Sequence, residues 1–219
     1  VEGTVSVAAA AVSSQPGGKR RGQQDPGPPD SPPTAKLSAP FTGPVVARTW
    51  NAQGLFAARP DRHRRKKAKC LQLMKGAQIL ATQETHKTPG KAKALSLPAE
   101  VQPIWSNLTS QLGGAGLWFA RPFLQNFGPL TDDDIIQVEA GRAIVVRLDG
   151  PLGSLDVINV YLHTGDAKAE RAATMRALAR LIRPPDRALT IILGDWNFVR
   201  ESNDRFNVQA EEWSGEADT

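Results

Sequence analysis

Cysteine is nearly missing from this sequence. Cys70 stands alone, which excludes an internal disulfide framework, and with only three histidines no Cys/His cluster has the spacing of a zinc site. Apolar residues make up 40% of the chain, yet no run of them approaches the roughly 18 residues of a membrane-spanning helix, so a soluble protein is expected. No segment recurs at the period of a solenoid. An initiator methionine is lacking too: the chain starts at Val1, which predicts that the natural N-terminus, with any targeting signal, lies upstream. The small-residue stretch from Val5 to Val12 has no basic leader and does not read as a signal peptide. The expected location is nuclear or cytoplasmic.

What is present suffices for one domain: 219 residues can bury a proper core and leave room for a tail, whereas two globular domains would be crowded. Residues 1–44 are rich in Pro, Gly, Ser, Ala and Gln and have neither strand nor helix periodicity. Such a composition buries too little apolar surface to offset chain entropy, so a disordered tail is expected there, with Lys19, Arg20 and Arg21 inside it. The net charge of +5 is concentrated: Asp61 to Lys69 holds six basic side chains and one acidic, and outside that run and the tail 17 basic face 18 acidic. The run reads equally as a phosphate-binding patch, a solvated helix face or part of a nuclear-import signal.

From Val45 the pattern changes. VVARTWNAQG reads as a strand ended by Gly54, Asp61 to Gly76 as a helix started by Asp61 with Leu71 and Met74 on its apolar side, and Gln78 to Thr85 as a second strand. Lys87 to Ser110, with prolines at 89, 98 and 103, predicts loops and one short helix. GLWFARPF, DIIQV and GRAIVVRLDG follow as β-rich stretches, then Leu155 to Leu162. Asp166 to Ile182 predicts a helix with Ala172, Met175, Leu178 and Leu181 as its apolar stripe, stopped by Pro184 and Pro185, and Leu189 to Asn197 closes the core as an apolar strand. Mixed strands and helices favour a layered α/β or α+β fold.

Polar groups sit at the ends of these apolar strands: Asn51, Glu84, Tyr161, and Asp195 with Asn197. Strand ends hold a side chain still while the loop leaves room for substrate. Asp195 and Asn197, two apart, would share a face of an extended strand and offer oxygen to a hard cation; GDWN read alone is first of all a turn. Glu84 reads as a solvated loop residue or, with a partner across the sheet, as a Mg²⁺ ligand. His86 and His63 read as exposed, and Asp132 to Asp134 as a polar turn. Arg142 and Arg147 either face a phosphate backbone or occupy the open side of a strand.

Taken in order, TWNAQGL, ATQETH, GGAGLWF with GRAIVVRL, INVYLHTG and ILGDWNFV resemble the endonuclease/exonuclease/phosphatase superfamily from Val45 to Phe206, with an acidic tail at 207–219. The Asp204-Arg205 pair is most similar to the apurinic-type endonuclease domains of non-LTR retrotransposons. The resemblance implies a four-layered α/β sandwich, two mixed sheets flanked by helices, and Mg²⁺- or Mn²⁺-dependent phosphodiester hydrolysis on nucleic acid, DNA first, with no membrane and no obligate protein partner. It implies metal binding by Glu84 and Asn51, catalysis by Tyr161, Asp195 and Asn197, and phosphate contacts from Thr164, Arg142, Arg62, Arg64 and Arg65. Where the family has a Pro-Asn pair after its tyrosine motif, this chain has His163 and Thr164. The family's terminal Asp-His pair has no counterpart in the 22 residues after Asn197, so a C-terminally incomplete domain with little cleavage of its own is expected. Another phosphoesterase of the superfamily, acting on a nucleotide, RNA or a phosphoinositide, and a catalytically dead nucleic-acid-binding module are the alternatives.

Overall fold

The chain opens on a strand where composition predicts a tail. In a computed structural model, Glu2–Val7 (β1) pairs antiparallel with Val45–Asn51 (β2), Val7 opposite Val45. Thr4, Val5 and Val7 are β-branched, and the edge of β2 supplies the hydrogen-bond partners that decide so short a run. Phe41 is also buried, its N–H donating to the Ser154 carbonyl at 2.9 Å. The structure describes residues 2–7, 39–56, 59–86, 97–108 and 113–197, and two paired short strands, Phe206–Asn207 and Glu212–Trp213. Lys19 to Arg21, Asp204-Arg205 and, apart from the residues of those two short strands, the acidic end lie outside the described residues.

One sheet has the order β1-β2-β3-β5-β4, with β3 Ile79–Gln83, β4 Val101–Ser106 and β5 Ala115–Ala120. The second has the order β6-β7-β8-β9, with β6 Ile135–Glu139, β7 Ala143–Gly150, β8 Gly153–Tyr161 and β9 Leu189–Asp195. Two pairs are parallel, β2 with β3 and β8 with β9; the rest are antiparallel. A parallel pair needs a crossover, and helices α1 (Pro60–Met74) and α3 (Lys168–Ala179) provide it. A single turn, α2 (Arg121–Leu124), follows β5.

Alternation along the strands sorts the apolar residues into three cores. Ile79, Ala81, Leu117 and Phe119 of the first sheet meet Ile144, Val146, Val157, Ile191 and Leu193 of the second. Leu80 and Trp118 point the other way, onto Cys70 and Met74 of α1; Val145, Ile158 and Val160 point onto Leu178 of α3. The expected four layers follow: helix, sheet, sheet, helix. Burial pushes the Cys70 thiol up to about 12, so it packs as a small apolar group.

Three expectations need correction. β4 lies where loops and a short helix were expected; it is an edge strand, where Pro103 gives up no ladder bond, and Val101, Ile104 and Trp105 supply the β preference. On α3 the buried residues are Arg171, Thr174 and Leu178, while Met175 is 38% exposed, because Arg171 and Thr174 turn inward to bond neighbouring segments. Asp61 does not cap α1: Pro60 starts the helix and Asp61 lies in its first turn, favourable to the helix dipole.

Beyond α3, Arg183 forks between Asp156, fully buried on β8, and Asp149 at 2.8 Å. Burial works to raise the Asp149 carboxyl, but hydrogen bonds from Ser154 and Arg183 outweigh it and hold it below its ordinary value. A carboxylate depressed in the folded state contributes stability that is complete above its unfolded value, near 3.9, and lost as pH falls through the folded value. The expected result is that Asp149→Asn flattens the acid limb of a urea-midpoint-versus-pH curve below about pH 4 and leaves its neutral slope alone.

Candidate active site at the carboxyl ends of the parallel strands

Each parallel pair delivers its carboxyl ends to the same edge of the sandwich, and β9 packs against β2 and β3, so the two ends meet. Asn51 is the last residue of β2, Glu84 follows β3, and Tyr161 and Asp195 end β8 and β9 opposite one another. Gly194 makes the approach possible: a Cβ there would lie 2.0 Å from the Val160 carbonyl oxygen, and its φ is +148°.

Asn51 joins the two sheets at this edge. Its Nδ2 donates to Glu84 Oε1 at 2.7 Å and to Asp195 Oδ2 at 2.8 Å, while its Oδ1 accepts the Gln53 N–H at 3.1 Å. Burial pushes the Tyr161 hydroxyl above its ordinary value, the Glu84 charge and a hydrogen bond to that carboxylate push it further, and the Arg142 guanidinium opposes. That guanidinium lies over the Tyr161 ring, 4.6 Å from its centroid.

The loops at this edge are held in an unusual backbone state. Gln53, Glu84, His86 and Asn197 are the described non-glycine residues with positive φ, at 47° to 54°. Such conformations cost on the order of 1–2 kcal/mol each and persist where neighbours over-determine them. The neighbours here are backbone bonds from Ala52 to Gln83, Gly54 to Glu84, Thr85 to Gly114 and His86 to Gly113, at 2.6–3.1 Å.

Asp195 and Asn197 do not share the face of a strand. β9 stops at Asp195, the Asn197 N–H donates back to Asp195 Oδ1 at 3.1 Å, and the Asn197 side chain donates to the Leu162 carbonyl at 2.8 Å. The turn and the site are therefore one structure: Oδ1 closes the turn and Oδ2 reaches Asn51. Thr164 is exposed just past β8. His63 is half-buried, its Nδ1 2.9 Å from the Leu55 carbonyl oxygen. Burial also pushes the His86 ring below its ordinary value, against the pull of Glu84. Asp132 to Asp134 form the turn expected of them, capped by Thr131 and Asp134.

Of the basic run, Arg62, Arg64 and Arg65 are exposed on α1, Arg65 3.9 Å from Asp61, and among the described residues none hydrogen-bonds a site residue. Lys66, which sequence reasoning passed over, turns inward: its Nζ donates to the carbonyls of Ala52, at 2.7 Å, and Gln53. Burial and then Arg62 push its ammonium below the ordinary value, while Glu84 pulls it back. Gln83 and Asn159 were missed as well. Buried between the sheets, they bond each other at 2.7 Å, one residue before Glu84 and two before Tyr161. An amide set among the apolar residues of each strand was the available signal.

The donor set suits a hard divalent cation. Glu84 and Asp195 converge on one N–H₂ group, and a cation would satisfy both carboxylates more strongly than an amide does. Among the described residues no cluster of three His, Cys, Asp or Glu occurs, so the protein offers two carboxylates and an amide and leaves other positions to water and substrate, as Mg²⁺ sites commonly do.

The sequence matches the endonuclease/exonuclease/phosphatase family over residues 49–214. Among solved structures it is similar to the 3′ phosphatase NExo from Neisseria bound to a product DNA hairpin, at 19% identity and a TM-score of 0.54, covering 76% of this chain and 63% of that one. D. rerio TDP2, humanized by mutation, gives 16% identity and a TM-score of 0.49 over 70% of this chain and 66% of that one. D. rerio TDP2 with a single-strand DNA product gives 17% and 0.49 over 71% and 61%. The chain thus spans less than two thirds of the length of these proteins. No curated protein sequence matches it. The family match over most of the chain, on a four-layered sandwich like that of the Neisseria phosphatase, leads to one conclusion: the chain belongs to the endonuclease/exonuclease/phosphatase family, whose members are divalent-metal-dependent phosphodiesterases and nucleases.

Proposed function

We propose that the chain forms the site of a Mg²⁺- or Mn²⁺-dependent endonuclease that nicks DNA, of the kind carried by retroelements. The observation behind this reading is the meeting of Glu84 and Asp195 on Asn51 with Tyr161 beside them. Glu84 and Asn51 would hold the metal, which would supply charge stabilisation to the phosphoryl and leaving oxygens. Asp195 orients the attacking water and takes its proton, its carboxylate fixed by Asn51 on one oxygen and the Asn197 N–H on the other. Tyr161 and Asn197 approach the scissile phosphate as preorganised donors, Arg142 and Thr164 contact its neighbour, and Arg62, Arg64 and Arg65 extend a basic surface along the polyanion. The Asp204-Arg205 pair after GDWN supports the retroelement subfamily.

A supercoiled-plasmid assay tests this. Weak nicking is expected with Mg²⁺, none in EDTA, and a further loss of about 10²–10⁴-fold on Asp195→Ala. Nicking by Asp195→Ala at the wild-type rate overturns the role of Asp195. Hydrolysis of a soluble phosphate ester but not of DNA moves the protein to another phosphoesterase activity. Salt-sensitive DNA binding indifferent to Mg²⁺ and to Asp195→Ala marks a binding module instead.

A further inference from the structure

Lys66 carries a charge on the packed stripe of α1. It lies four and eight residues before Cys70 and Met74, the buried residues of that helix, and so continues their face one turn towards the helix start. Arg62, Arg64 and Arg65 of the same run stay in solvent. A part-buried ammonium needs acceptors, and Lys66 has two in succession: its Nζ donates to the Ala52 carbonyl at 2.7 Å and to the Gln53 carbonyl.

The turn held in this way is the one that aims Asn51. Gln53 has an exposed side chain and a φ of +47°, so its own side chain gives no reason for the left-handed state. Its backbone groups do. The N–H donates to Asn51 Oδ1 at 3.1 Å, and the carbonyl accepts from Lys66. With Oδ1 engaged there, the Asn51 amide presents Nδ2 to Glu84 and Asp195, at 2.7 Å and 2.8 Å. The flanking peptides tie the turn to the end of β3: the Ala52 N–H donates to the Gln83 carbonyl at 2.9 Å and the Gly54 N–H to the Glu84 carbonyl at 2.6 Å.

We propose that Lys66 is a positioning residue of this site: closing on the Ala52 and Gln53 carbonyls, it keeps Gln53 left-handed and, through the Gln53 N–H, fixes the Asn51 amide between the two carboxylates. The relay stands on hydrogen bonds within the chain; its consequence for a cation rests on the metal reading above. The charge of Lys66 by itself works in the opposite sense. An ammonium that attracts Glu84 competes with an incoming cation, so losing a mere charge would tighten metal binding, whereas losing a clamp weakens it.

Lys66→Met keeps the apolar stem and the helix propensity and removes the donors. Two measurements on the folded variant are expected to move together. In EDTA, hydrogen exchange at the Gln53 amide rises about 10-fold, while that at Thr85, bonded to the Gly114 carbonyl, stays as in wild type. Mn²⁺ binding, read from the EPR signal of the free ion, weakens about 3- to 10-fold, because the turn that aims Asn51 is populated only in part. Adding Gln53→Gly to Lys66→Met restores most of that affinity, since glycine adopts a positive φ without a clamp. A general loosening of α1 would not be repaired at position 53. Mn²⁺ binding by Lys66→Met as tight as wild type or tighter overturns the proposal; so does an unchanged Gln53 exchange rate, and so does a glycine that restores nothing. Lys66→Ala takes the place of the methionine variant if that protein does not fold. A wild type that binds no Mn²⁺ overturns the metal reading instead, and the exchange rates still decide the relay.

Discussion

Replacing Glu84 by glutamine makes the metal-free protein more stable and removes its response to divalent cations. Glu84 and Asp195 each bond the same Asn51 nitrogen, so the contacting oxygens are no more than about 5.5 Å apart. At that separation two unit charges repel by about 1–3 kcal/mol for effective dielectrics between 80 and 20. The shared amide offsets only part of this, and a cation offsets it fully. Glutamine keeps an oxygen for Asn51 and removes the repulsion, so in EDTA the variant melts a few degrees higher, about 2–4 °C per kcal/mol for a domain of this size. With Mg²⁺ or Mn²⁺ at 100 times its dissociation constant, wild type gains about 2.7 kcal/mol and the variant little, and the order of melting temperatures reverses. DNA hydrolysis falls by at least about 10²–10³-fold. The measurement is a pair of thermal melts, chelated and metal-loaded. A variant that melts with wild type in EDTA and gains as much from metal would remove Glu84 from the metal site.

That experiment concerns residues legible in the sequence one at a time but not as a set. Asn51, Glu84, Tyr161 and Asp195 were visible because each is a polar group ending an apolar run. Their meeting depends on pairings 33 and 144 residues apart, which no local pattern encodes. The ordered motifs carried that information through resemblance. β4 was hidden because Pro103 reads as a breaker until the strand is known to be an edge, and β1 because six residues draw their partner from β2, far along the chain. The apolar stripe expected on α3 failed for another reason: Arg171 and Thr174 are polar, and only their bonds to the His163 segment and Glu139 show why they face inward. Charge clustering revealed the basic run, but not that Lys66 turns inward onto the Ala52 and Gln53 carbonyls while Arg64 and Arg65 stay in solvent.

The same blindness hid the amides between the sheets, where the largest loss of stability is expected. Asn159 has no exposure; its Nδ2 donates to the carbonyls of Thr82 at 3.0 Å and Gly116 at 2.9 Å, and its Oδ1 accepts from Gln83 Nε2. It thus ties β8 to β3 and β5 across the sandwich. Leucine at position 159 has similar bulk and none of these bonds, and it leaves Gln83 Nε2 with only Thr49 at 3.1 Å. Each lost bond costs about 1 kcal/mol and each buried group left unpaired about 1–3 more, so Asn159→Leu is expected to cost about 3–5 kcal/mol in urea unfolding. Gln83→Leu alone costs less, because Asn159 keeps both carbonyls. The double variant is expected to fall short of the sum by about 1 kcal/mol or more, since removing both partners strands fewer polar atoms than removing one. Additivity within error would mean that the two amides do not stabilise each other. The consequence reaches the site, because Glu84 follows Gln83 and Tyr161 lies two residues beyond Asn159. If this link sets the spacing of the sheets, folded Asn159→Leu also binds Mn²⁺ more weakly, while a substitution of equal cost far from this edge does not.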